Sequence, residues 1–94
     1  MSLPVIGQHA DSLFSVLEKG NLPSKEKLKI YDDLCWEYMS ADHKKSISYG
    51  IDGLSLSRKL KDKNYELIFL RNIGVTYFMA DAYKDAEVYL DSAL

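Results

Sequence analysis

The sequence predicts an all-α fold of about five helices arranged as antiparallel hairpins, and three observations predict it. Apolar residues recur at i, i+3, i+4 and i+7 through most of the chain. The breaks between these runs are short and polar, so consecutive helices should fold back on one another. The second half of the chain also repeats the first at an offset of about 40 residues. No run keeps the strict apolar–polar alternation of a half-buried strand.

A leading helix is expected over about 9–19, where Ala10, Leu13, Phe14 and Leu17 form one stripe. Gly20-Asn21-Leu22-Pro23 then stops it, and Ser24 is placed to cap the next helix. That helix is expected over about 25–40, with Leu28, Tyr31, Leu34, Cys35 and Tyr38 on its packing face. Asp42 is a natural N-cap for a third helix over about 43–61. Lys61-Asp62-Lys63-Asn64 breaks the chain again, a fourth helix follows over about 65–80, and Asp81 is expected to cap a fifth from about 82 to the end.

Composition narrows the function classes. Ninety-four residues with 47% apolar side chains and a net charge of −2 make one small domain, 1–94, or a piece of a larger one. The charges are dispersed. The most basic run, Arg58, Lys59, Lys61 and Lys63, is suited to a helix C-terminus rather than a nucleic-acid face. A lone Cys35 rules out an intramolecular disulfide. No apolar run approaches the length needed to span a bilayer, so the expectation is a soluble protein, cytoplasmic or periplasmic.

Sliding the chain against itself shows two helix–turn–helix units, 24–62 and 65–94, behind the leading helix. At an offset of 39, Leu34 maps to Ile73, Cys35 to Gly74 and Tyr38 to Tyr77. At 40, Ser46 maps to Ala86, Tyr49 to Tyr89, and Gly53 to Ala93. The one-residue difference falls in the turn. Small residues at Cys35, Gly74, Ser46, Ala86, Gly53 and Ala93 should let the two helices of each hairpin approach closely, with Tyr38 and Tyr77 beside them. A mid-helix glycine such as Gly74 costs about 0.5–1 kcal/mol relative to alanine, which close packing can offset.

Leu70, Ile73-Gly74, Tyr77-Phe78, Tyr83, Ala86, Leu90 and Ala93-Leu94, in that order and spacing, resemble the tetratricopeptide repeat (TPR) signature. The earlier unit resembles it as a divergent copy, with Cys35 for the glycine and Ser46 and Gly53 for the alanines. The resemblance implies that the hairpins stack as a right-handed solenoid. A repeat of about 40 exceeds the family's usual 34. Long repeats behind a leading helix are similar to the N-terminal sensory regions of bacterial signalling proteins. Because the chain stops inside its last helix, a piece cut from a longer array is expected.

Catalytic motifs are absent, and neither an enzyme activity nor a cofactor or metal is expected. His9 and His43 lack ligand spacing, and Asp32 and Asp33 are adjacent on a helix, so they diverge by about 100°. Binding fits the resemblance better, with a protein or peptide as the partner. Carried over position by position, the groove-lining residues would be Asp32, Asp33, Trp36 and Met39 in the first unit. In the second they would be Arg71, Asn72, Val75, Phe78 and Met79. Trp36 either anchors a partner or packs against the leading helix or the turn that follows it. The alternative is a purely structural fragment, since the apolar residues of the terminal helix should also bring copies together as a homodimer.

Overall fold

The computed structural model describes residues 12, 13, 15–17 and 22–93. They form five helices: α1 over the described residues of 12–17, α2 (Ser24–Tyr38), α3 (His43–Lys59), α4 (Lys63–Met79) and α5 (Tyr83–Ala93). No strand occurs among the described residues. His9 and Leu94 lie outside them.

The caps explain where each helix begins. Asp42 and Asp62 sit in extended backbone ahead of α3 and α4, and their carboxylates accept from the backbone N–H of Lys45 and of Tyr65, both at 3.1 Å. Each satisfies one orphan donor of its helix. The cap expected from Ser24 is not made. Ser24 is the first residue of α2, and Pro23 holds the N-cap position without a side-chain bond.

Asp81 also departs from its expected role. Its φ of 62° is left-handed, and it closes α4 rather than opening α5. Its N–H donates to the Phe78 carbonyl (3.1 Å) and that of Ala82 to the Tyr77 carbonyl (2.9 Å). This is the paired bonding of a Schellman turn. Lys61 (φ 57°) closes α3 the same way, with Lys61 N–H on the Arg58 carbonyl and Asp62 N–H on the Ser57 carbonyl. The α2–α3 turn closes with no left-handed residue, and that is where the first unit is one residue shorter.

α2 packs on α3, α3 on α4 and α4 on α5, while α2 also touches α4. The backbones of α3 and α5 lie apart. α4 therefore sits at the centre of a thin slab of 38 × 34 × 14 Å. The core is a cluster of Leu28, Leu54, Phe69, Leu70 and Ile73, drawn from α2, α3 and α4. Each hairpin carries a matching aromatic pair: Tyr38 stacks on Tyr49 at 5.9 Å and Tyr77 on Tyr89 at 5.6 Å. These four positions correspond under the repeat offsets.

The small residues divide into two kinds. Gly74 and Ser46 serve the hairpins. A Cβ on Gly74 would lie 2.7 Å from Leu90 Cγ, and Ser46 Oγ donates to the Cys35 carbonyl at 2.7 Å. Gly53 differs from the hairpin role expected of it, because it makes room for the next helix. A Cβ there would meet the Phe69 ring of α4 at 2.3 Å. Gly50, unremarked in the sequence, is similar: its Cβ would lie 2.6 Å from Ile73 Cγ1 and 3.0 Å from Cys35 Sγ. Gly50 corresponds to Leu90, so the larger Cys35 faces a glycine where Gly74 faces a leucine.

Candidate partner-binding face

The face begins with helical spacing. Asp32 and Trp36 on α2 with Met39 at its C-cap, and Arg71, Val75 and Phe78 on α4, stand at i, i+4 and i+7, so each trio forms one stripe. The core cluster takes the neighbouring stripe, which leaves these positions at its margin.

Burial separates the trios' members. Trp36 is 60% exposed and Phe78 58%, Arg71 and Met79 are also exposed, and Asp32, Asp33 and Val75 are half-buried. Phe78 is braced by the edge of Tyr83, with ring centroids 5.2 Å apart. Two groove assignments are corrected. Met39 is only 5% exposed and belongs to the buried apolar set, at the end of α2. Asn72 is buried, and its Nδ2 donates to Asp32 Oδ1 at 2.6 Å, so it ties α4 to α2 rather than facing outward.

That bond starts a polar seam through the three central helices. Thr76 Oγ1 donates to the Asn72 carbonyl (2.7 Å) and lies 3.3 Å from Ser46 Oγ. Ser46 Oγ in turn donates to the Cys35 carbonyl, and Cys35 Sγ–H to the Ser46 carbonyl at 3.1 Å. Each hydroxyl has one proton, so with both given to carbonyls the Ser46–Thr76 contact is made by lone pairs alone. It becomes a bond only when one of them turns from its carbonyl. No buried side-chain nitrogen or oxygen among the described residues lacks a partner.

Burial raises the pKa of the Asp32 carboxyl. The Asn72 hydrogen bond opposes that rise, the Asp33 charge adds to it, and Arg71 opposes it. Burial also pushes the Cys35 thiol up to about 12, against the opposing hydrogen bond to Ser46. A thiol held in that form is a poor nucleophile at neutral pH. Among the described residues no group of three or more His, Cys, Asp or Glu could hold a metal ion.

Two clefts lie away from the stripes. One of 680 Å³ lies between the start of α2 and the α3–α4 turn, lined by Lys25, Lys61, Lys63 and Asn64 among others. A second of 360 Å³ runs along α3 at Ile47, Ile51 and Asp52 and reaches Tyr77. Sequence reasoning also missed Leu67, 46% exposed near the start of α4. Its signal was available, because Leu67 maps onto Leu28 at the repeat offset of 39. Among the described residues no helix is long and apolar enough to cross a membrane.

No family model, curated protein or solved structure matches the chain.

Proposed function

We propose that the chain is a TPR-like scaffold that binds a protein or peptide partner across α2 and α4, as a regulatory segment of a larger bacterial signalling protein. The observation that carries the binding role is the exposure of Trp36 and Phe78, with Arg71 and Met79, on these two helices of one domain. Burying a tryptophan and a phenylalanine removes a large apolar area from water, and Trp and Arg are enriched among interface residues that dominate affinity. The half-buried Asp32–Asp33 pair disfavours an acidic ligand end at the α2 side. The solenoid part of the proposal is supported by the matched tyrosine pairs and by α4 contacting both helices of the preceding unit.

The test is selection of binding peptides from a random library, followed by affinity measurement on variants. Trp36→Ala and Phe78→Ala should each weaken the selected peptides about tenfold or more, with helical content unchanged. Peptides that bind both variants as tightly as the parent protein would remove the proposed face.

A further inference from the structure

The two units share a sequence pattern, yet among the described residues only the first has its outer face covered. In the first, α4 lies across α2 and α3: Phe69 fills the notch at Gly53, Ile73 lies over Gly50, and Asn72 bonds Asp32. Leu28 of α2 joins the same cluster as Phe69 and is fully buried. The repeat offsets carry these positions to Ala93, Leu90, Arg71 and Leu67 on α4 and α5. There the counterpart of fully buried Leu28, Leu67, is 46% exposed, and Arg71 is exposed.

We propose that this face of α4 and α5 docks an amphipathic helix of a partner, laid across it as α4 lies across α2 and α3, and carrying a carboxylate opposite Arg71. Three differences between the two faces define that helix. Arg71 stands where Asp32 accepts from Asn72, so an acidic side chain replaces the amide. Ala93 stands where Gly53 admits a phenyl ring, so a smaller aliphatic residue replaces Phe69. Leu90 stands at the Gly50 position and supplies the bulk that is lost. The required pattern is an aliphatic residue at i, a carboxylate at i+3 and an aliphatic residue at i+4. The inference rests on the internal repeat; it shares Arg71 with the proposed groove but not Trp36 or Phe78, so Leu67→Ala and Trp36→Ala tell the two apart.

A second copy is the competing occupant, but its corresponding helix has the required residues partly committed. In α2, Ile30, Asp33 and Leu34 fall at the right spacing, and Leu34 is already fully buried within its own copy.

The test uses the whole chain and a labelled peptide of α4, residues 63–79, carrying Phe69→Ile and Asn72→Asp. The new aspartate also repels Asp32, which keeps the peptide off the internal α2–α3 face. Fluorescence anisotropy should show saturable binding. Arg71→Glu in the protein should weaken it about tenfold or more, and a peptide carrying Asn72→Lys instead should recover the loss. Leu67→Ala should also weaken it, whereas Trp36→Ala should not. No binding at millimolar peptide, or equal binding to the Arg71→Glu and parent proteins, overturns the proposal. So does sedimentation showing the chain self-associated below the peptide's Kd and dissociated by Leu67→Asp, which would assign the face to a second copy.

Discussion

Gly53→Ala sets backbone preference against packing. In a helix interior the change should stabilise by about 0.8–1 kcal/mol, the difference in helix propensity. The structure predicts the opposite sign. The added Cβ would lie 2.3, 2.4 and 2.7 Å from three carbons of the Phe69 ring, whereas ordinary contact begins near 3.4 Å. The ring must therefore retreat by roughly 1 Å. It has nowhere easy to go, because Phe69 is fully buried and stacked on Tyr65 at 5.9 Å. Overpacking of this kind costs about 1–3 kcal/mol. After the propensity gain is subtracted, we expect a net loss of up to about 2 kcal/mol, and a loss of 1 kcal/mol lowers Tm by about 4–8 °C. Urea unfolding followed by far-UV circular dichroism gives the free energy. Phe69→Leu, measured alone and combined with Gly53→Ala, completes a double-mutant cycle, with a coupling of about 1 kcal/mol or more expected. A Gly53→Ala protein more stable than the parent, or a cycle that is additive, would refute the placement of Phe69 in the Gly53 notch.

Gly74→Leu and Ala86→Leu should each destabilise by about 1–3 kcal/mol, since a Gly74 Cβ already crowds Leu90 and Ala86 is buried, and thermal melts check both. Leu28→Ala should cost about 2–5 kcal/mol in urea unfolding while Trp36→Ala costs under about 0.5 kcal/mol, because one side chain is fully buried and the other is 60% exposed. The Cys35 thiol ionises near 9 in the unfolded chain and about 12 in the folded one, so its contribution is fully present below pH 9 and is lost as pH rises from there toward 12. Cys35→Ala should remove that part of the alkaline slope in pH-dependent melts, and alkylation of Cys35 at pH 7 should require unfolding. Asp32 has its folded pKa raised, so the parent should gain stability relative to Asp32→Asn as pH falls through that folded pKa toward 3.8. A parent that stays level with the variant or loses stability relative to it across the same range would contradict burial as the leading cause.

The helices were legible because their signals are local. Apolar periodicity and the polar breaks placed four helices to within about two residues at each end, and Asp42 read correctly as a cap. Asp81 misled because an aspartate before a helix can cap it, yet the same residue type tolerates left-handed backbone. Which role it takes depends on how the preceding helix closes. Gly53 misled for a different reason. The repeat correctly identified a position requiring a small side chain, but a pattern within one chain does not say which neighbour needs the space. Met39 and Asn72 were lost to the core and the seam for a similar reason. Helical spacing places a residue at the margin of the packed face, and only the width of the next helix decides whether that margin is covered. Val75, Phe78 and Arg71 sit at the corresponding margin of α4, and there the width is left open.

The order of contacts also governs how the molecule comes apart. α5 is held by α4 alone among the described helices, whereas α4 is held by α2, α3 and α5. Releasing α5 breaks one interface and withdraws Tyr89 and Ala93 from the edge of the core cluster, whose five members all lie on α2, α3 and α4. Its amides should therefore exchange with solvent through a partial opening, well below the free energy of complete unfolding. Those of α4 should exchange only when the whole assembly opens. The ring-to-ring contact between Tyr77 and Tyr89 is among the contacts that opening must break, and it joins residues only twelve apart. The Asp32–Asn72 bond, forty residues apart, has the longest reach among the side-chain hydrogen bonds described above. A chain whose contacts stay this local pays little loop-closure entropy before each one forms, and it should refold on the microsecond-to-millisecond scale of helical domains.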